Sequence, residues 1–316
     1  MAMSPPVDPN PTLGIGLKCI SVVVFVAMQT LIKSVGEDVP PGEVVFFRSF
    51  FALIPVVIYL AWLGDLRRSL VTDDLPGHML RGLVGVTSMI LSFYSLARLP
   101  YPEWISISYA APLLTVVFAA IFLKEVVRAY RWTAVAIGLV GVCVVTAPNL
   151  SLFSAGGIGG AEALGALGAL GAACFAAVAM IQIRRLVKKE KTATIVVYFS
   201  LTSSLLALLS APFGWVVPAP REAAALVVAG LFGGVGQLLL TASYRYADTS
   251  TIAPFEYTSL ILAIAIGVFL FGDPLAWTTV LGAAIVVSAG IFIIWREHRL
   301  GIERRKARRV SPPGGS

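Results

Sequence analysis

Three features of this 316-residue chain predict an all-α polytopic membrane protein, with ten transmembrane helices arranged as two inverted five-helix repeats. Hydrophobic residues make up 58% of the chain and charged ones 13%, whereas a soluble domain carries about 25% charged residues. Apolar runs of about 20 residues, the length needed to cross a bilayer, recur from end to end. The two halves also resemble each other at a fixed offset, with the charges of their connections exchanged. The composition excludes ordinary soluble domains and disorder alike.

Apolar runs bounded by charges, Pro or Gly place the spans at 13–32, 44–63, 78–98, 103–123, 131–148, 161–183, 193–212, 223–244, 249–271 and 275–295. Span one has no Lys or Arg ahead of Lys18, so the basic region of a cleaved signal peptide is missing and the helix is read as retained. It also carries Gln29. Span two holds Arg48, about one turn inside the membrane, and span three runs from His78 past Tyr94. Span four begins with Glu103 after Pro102 and carries Trp104, Tyr109 and Pro112. Span five follows the basic turn Lys124–Arg131. The uncharged, Gly-rich segment 149–160 reads as a linker between the halves. Span six is dominated by Gly and Ala, span seven is 193–212, and span eight holds Gly230-x-x-x-Gly234, Gln237 and Tyr244, small residues that let helices approach closely. Span nine opens near Asp248 and contains Pro254, Phe255, Glu256 and Tyr257. Span ten ends at Trp295, before a basic tail over 297–316. The organisation is therefore an N-terminal tail (1–12), repeat one (13–148), the linker, repeat two (161–296) and the tail.

Orientation follows from Lys and Arg in the connections. Nineteen of the 24, Arg81 at the start of span three counted among them, fall in one alternate set of connections plus the C-terminal tail, against three (Lys33, Arg98, Arg221) in the other set. Both termini are expected in the cytoplasm. All six Trp residues lie near span ends, as expected of interfacial anchors. The three cysteines, Cys19, Cys143 and Cys174, read as small core residues. The net charge of +7 falls largely in the tail, which suits anionic lipid rather than nucleic acid.

The repeat has an offset of about 148 residues. Tyr109 aligns with Tyr257, Phe122-Leu123-Lys124-Glu125 with Leu270-Phe271-Gly272-Asp273, and Gly141-Val142 with Gly290-Ile291. Five spans is an odd number, so the second half enters the membrane upside down. The basic Lys124–Arg131 turn accordingly corresponds to Gly272-Asp273-Pro274, which lacks Lys and Arg. Inverted repeats enclose midplane substrate sites in many secondary transporters.

Ionisable groups within spans are costly and are candidates for function. Glu256, two residues after a helix-breaking proline, reads either as a partner for a cationic solute and proton acceptor or as a neutral carboxyl hydrogen-bonded between helices. Arg48 reads as an anion-binding group or a snorkelling cation, and Lys18 as snorkelling. Glu103, Asp248, Glu125 and Asp273 read as capping or turn residues. Gln29 and Gln237 offer neutral hydrogen bonds, and Tyr94, Trp104, Tyr109, Tyr244, Phe255 and Tyr257 offer aromatic surface. The expected substrate-binding set is Gln29, Arg48, Tyr94, Trp104, Tyr109, Gln237, Glu256 and Tyr257, with Glu256 the candidate for proton coupling. There is no Gly-x-Ser-x-Gly or His-Glu-x-x-His motif and no carboxylate cluster suited to a metal, so a transporter without cofactors is expected rather than an enzyme.

Phe46-Phe47-Arg48-Ser49, Phe93-Tyr94-Ser95-Leu96-Ala97, Phe122-Leu123-Lys124-Glu125 with Arg131-Trp132, Ala253-Pro254-Phe255-Glu256-Tyr257 and the stretch from Trp277 to Gly290 together resemble EamA-type members of the drug/metabolite transporter superfamily. The resemblance covers about 13–147 and 161–296. It implies a ten-helix inner-membrane carrier of small organic solutes, in a branch similar to riboflavin and S-adenosylmethionine transporters. Amino-acid or drug export within the same family is the alternative. The partners expected are the solute and membrane lipids, and a homodimer is compatible with the chain.

Overall fold

The computed structural model describes residues 10–64, 71–122, 124, 127–147, 160–186, 190, 192–246 and 253–310, and the regular elements among them are all helical. They are α1 (Pro11–Val35), α2 (Pro41–Trp62), α3 (Leu75–Arg98), α4 (Tyr101–Ser108), α5 (Ala110–Phe122), α6 (Ala129–Thr146), α7 (Ala161–Leu186), α8 (Thr192–Leu208) and α9 (Pro220–Tyr246). Short 3-10 turns (Ala211–Phe213, between α8 and α9, and Ala253–Tyr257), α10 (Thr258–Ile266), a π turn (Gly267–Phe271) and α11 (Trp277–Val310) complete the set. Among the described residues eight helical stretches are long and apolar enough to cross a membrane, with α4 and α5 acting together as one. Ala193–Leu208 and Phe255–Phe271 are shorter apolar helical stretches.

Local chemistry sets several starts. The Asn10 side chain accepts the Leu13 N–H at 3.1 Å with Pro11 at the first helical position, and Asp74 accepts the Gly77 N–H at 3.0 Å with Pro76 following. The predicted span four is not continuous. Pro112 cannot donate to the Ser108 carbonyl one turn back, and the helix breaks at Tyr109 into α4 and α5. The predicted span nine also differs: around Pro254 the chain forms a 3-10 turn, and α10 starts only at Thr258.

The helices pair as α1 with α9, α3 with α7, α6 with α11, and α2 with both α8 and α9. Glycines allow the closest approaches. A Cβ on Gly282 would lie 2.5 Å from the Gly141 carbonyl oxygen, and one on Gly141 would lie 2.8 Å from that of Gly282, so α6 and α11 touch backbone to backbone. Gly230 and Gly234 of α9 lie on Phe47, Phe51 and Ala52 of α2 in the same way, as their small-residue spacing predicts. Gly165 and Gly168 of α7 pack on α3, whereas Gly160 meets nothing.

Apolar side chains point outward on every side, among them Ile58, Leu83, Val140, Leu205, Ile261 and Ile291. Hydrocarbon is the surrounding that such a surface suits. Cys143 and Cys174 lie on this outer surface, not in the core, and Cys19 is half-buried; a thiol is apolar enough for a lipid-facing position. Trp104 departs from the expected interfacial role: it is buried, and its Nε1–H donates to the Ser92 carbonyl at 3.0 Å. Trp62 and Trp277 are exposed. The basic tail does not begin at a helix end, since α11 runs on to Val310. Segment 149–159, Glu125 and Asp248 lie outside the described residues.

At one end of the bundle Glu190 straps α3. It accepts hydrogen bonds from the Thr72 hydroxyl and the Asp73 N–H (3.0 Å), and lies 3.8 Å from His78 Nε2. His78 is buried and stacks on Tyr198 at 4.6 Å. Burial works to raise the Glu190 pKa, but the Thr72 and Asp73 hydrogen bonds and His78 hold it below the usual carboxylate value. A depressed carboxylate stabilises fully above its unfolded pKa of about 4.3 and loses that contribution as pH falls through the native value. Melting between pH 5 and pH 3 should therefore cost the protein on the order of 1 kcal/mol that Glu190→Gln does not lose.

Candidate functional site

The two helix breaks meet. Tyr109, at the joint of α4 and α5, packs its ring 5.0 Å from that of Tyr257, at the start of α10. Its hydroxyl donates to the Glu256 carbonyl oxygen at 2.8 Å and lies against the Ser259 hydroxyl. Each tyrosine lies three residues from a proline that interrupts the helical hydrogen bonding, Pro112 and Pro254. The Tyr257 hydroxyl sits where Gly290 of α11 has no side chain, and a Cβ there would collide with it.

Glu256 projects beside this pair, its side chain 52% exposed, with Oε2 3.4 Å from Lys18 Nζ. Lys18 is 2% exposed. It does not snorkel; it is buried on α1 against the only carboxylate it is paired with among the described residues. A lone charge at this depth is expensive, and an ion pair is the usual solution. Sequence depth alone places Lys18 near a span end, and nothing in its neighbours indicates that it faces span nine.

One level along α1, Gln29 accepts the Tyr101 hydroxyl at 2.9 Å. Tyr101 is fully buried and packs against Trp104, their rings 5.9 Å apart. Gln237, half-buried on α9, has no hydrogen-bond partner among the described residues. Tyr94 stands apart from this group: the Arg98 guanidinium lies over its ring at 3.7 Å and pairs with Glu37 at 2.6 Å. That pair belongs to a polar closure at one end of the bundle. Lys33 lies 3.6 Å from Asp273 and donates to the Leu99 carbonyl at 2.8 Å, and Asp273 accepts the Tyr101 N–H at 2.7 Å. Asp273 is thus more than a turn residue, since it ties α1 and α4 to the end of the π turn. Glu103 keeps its expected first-turn position in α4 and also meets the Thr279 hydroxyl of α11 at 3.5 Å. The side chains of Tyr244 and Pro254 lie outside what is described.

Arg48 also departs from the snorkelling alternative. It is 8% exposed, beside Gly233 of α9 and Met28 of α1, and its Nε–H has no partner among the described residues. Arg81, one of the nineteen basic residues assigned to one set of connections and the tail, is also 8% exposed, inside α3. The available signal was Gly85, one turn on, over which its guanidinium lies.

A bundle of apolar-surfaced helices, broken at two places where they cross and carrying paired charges inside, defines a multi-pass membrane protein with an internal polar site. The chain belongs to the EamA-like transporter family, whose model matches residues 12–147 and 163–296. It is 28% identical to an S-adenosylmethionine uptake transporter of Rickettsia bellii over 91% of this chain and 95% of that one. It is 26% identical to the pseudopaline exporter CntI of Pseudomonas aeruginosa, covering 88% and 94%. A crystal structure 19% identical in sequence superposes with a TM-score of 0.63, over 89% of this chain and 96% of the other, and shares the fold. The protein is a small-molecule transporter of this family, and its relatives are transporters, not enzymes.

Proposed function

We propose that the protein is a secondary transporter with ten membrane-crossing segments, two inverted five-helix repeats (13–148 and 161–296) that alternate around a central site. The observation that carries this reading is the Tyr109–Tyr257 contact, between residues one repeat offset apart on the two broken segments. Two further features support it. Lys124 has φ 53° and its repeat counterpart Gly272 has φ 67°, so both halves turn through the left-handed region at the same place, at a cost only glycine avoids. The helix pairs also exchange: α1 with α9 becomes α7 with α3 when the halves are swapped.

The solute is held between the repeats by Tyr109, Tyr257, Glu256, Gln29 and Gln237, with Arg48 deeper in the bundle; Trp104 frames the group and Tyr94 stands at the closed end. Lys33–Asp273 and Arg98–Glu37 close the outer end, and the half-exposed Glu256 faces the cytoplasmic opening. Both termini are cytoplasmic, the membrane is the cell (inner) membrane, and the basic tail rests on anionic lipid. S-adenosylmethionine is the first candidate substrate, given the Rickettsia relative; the pseudopaline exporter keeps export of a metabolite as the second reading.

The test is binding followed by flux. A solute present at 100 times its Kd should raise the stability of the purified protein by about 2.7 kcal/mol, and that increment should vanish in Tyr257→Ala. Labelled S-adenosylmethionine in proteoliposomes then reports import, export or exchange. Stabilisation by riboflavin or amino acids alone would replace the substrate, and a protein that moves no solute in either direction would overturn the reading.

A further inference from the structure

Two arginines meet inside the bundle without a carboxylate. Arg48 of α2 and Arg81 of α3 both lie over the ring of Phe199 of α8, at 6.0 and 4.0 Å. Each is more than nine-tenths buried. Arg48 Nε, Arg81 Nε and Arg81 Nη1 have no hydrogen-bond acceptor, and neither residue forms an ion pair among the described residues. The hydroxyls of Ser49, beside Arg48, and of Ser203, one turn beyond Phe199 on the same face, are buried and unpartnered as well. Glycines make the space: a Cβ on Gly85 would strike Arg81 Nη1 and Phe199, and one on Gly233 would press on Arg48 Nε.

An aromatic face recovers only part of what a buried guanidinium loses on leaving water. Two such groups side by side also repel. Three other cations of this bundle have carboxylates, Lys18 with Glu256, Lys33 with Asp273 and Arg98 with Glu37. Arg48 and Arg81 have no such partner among the described residues, and their forked N–H donors suit a planar or tetrahedral oxyanion.

We propose that Arg48 and Arg81, with Phe199 between α2, α3 and α8, receive the oxyanion of the transported solute, its carboxylate or phosphate, so that the substrate class is anionic at one end. The inference rests on the transporter reading and adds Arg81 and Phe199 to its site. The neutral end of such a solute lies toward Met28 and the face of α1 that leads to Gln29, because Arg48 reaches Gly233 beside Met28.

The experiment uses the full chain in nanodiscs in chloride buffer, with thermal melting as the readout. Its probes are S-adenosylmethionine, decarboxylated S-adenosylmethionine and inorganic phosphate. Its variants are Arg48→Gln, Arg81→Gln and Arg81→Lys. The expected result is that S-adenosylmethionine raises Tm, the decarboxylated compound does so about tenfold less potently or not at all, and Arg81→Gln abolishes the difference. Without ligand, Arg81→Gln should melt no lower than wild type, because it relieves repulsion between uncompensated charges. Arg81→Lys keeps a charge but not the fork, so it should fold while losing potency about tenfold. A rise with phosphate alone would support the oxyanion site and remove S-adenosylmethionine as substrate. Equal shifts from the carboxylated and decarboxylated compounds would leave the transporter reading standing and overturn this inference. So would unliganded Arg81→Gln and Arg81→Lys proteins that both melt lower than wild type, together with no response to any probe.

Discussion

Gly282→Leu is expected to be the most destabilising single change in the membrane core. Its Cβ would stand 2.5 Å from the Gly141 carbonyl oxygen and 3.0 Å from the Val145 backbone nitrogen. Side chains can rotate away from an intruder, but here the obstruction is backbone on a helix packed along its length. Overpacking usually costs about 1–3 kcal/mol, and a leucine against rigid backbone should reach the upper end or exceed it. The helices α6 and α11 must separate, and the Tyr257 pocket at Gly290 opens with them. The check is the melting temperature of the purified variant beside Gly160→Leu, where an added Cβ meets nothing within 4 Å and which should melt like wild type.

The second large effect concerns transport. Glu256→Gln leaves Lys18 buried and charged without its counter-ion, and Lys18→Met leaves the carboxylate without its cation. Removing one partner of a fully buried pair costs about 3–5 kcal/mol. Glu256 is half exposed, which moves the expected cost to about 1–3 kcal/mol. The double variant should regain much of that stability, because no lone charge remains. Uptake should not recover with it. If Glu256 takes up a proton during the cycle, uptake by Glu256→Gln loses its dependence on pH. Uptake that keeps the wild-type pH profile in Glu256→Gln would remove the carboxylate from any coupling role.

Both predictions depend on contacts between residues far apart in the chain, and this sets what could be read without coordinates. The apolar runs, the short connections and the alternation of basic ones are local properties, so membrane character and the approximate position of each helix were legible. The two breaks were legible too, since Pro112 and Pro254 act on carbonyls one turn away. The repeat offset aligns Tyr109 with Tyr257, but their tilted ring contact is a product of the tertiary structure.

The charged residues behaved differently. Position along a span gives depth but not direction around the helix axis. Lys18 and Arg48 therefore looked free to reach the headgroups, and Arg81, at the start of span three, counted with the connections. The tertiary structure decided otherwise. It turns Lys18 toward Glu256 across 238 positions of sequence, ties Lys33 to Asp273, and leaves Arg48 and Arg81 facing each other over Phe199. The sequence alone determined that the chain folds in a membrane as helices, because apolar runs of about 20 residues suit hydrocarbon and a helix satisfies its own backbone there. Which polar groups meet inside was decided by packing, because glycines at Gly85, Gly233, Gly282 and Gly290 set how closely and at what rotation the helices approach.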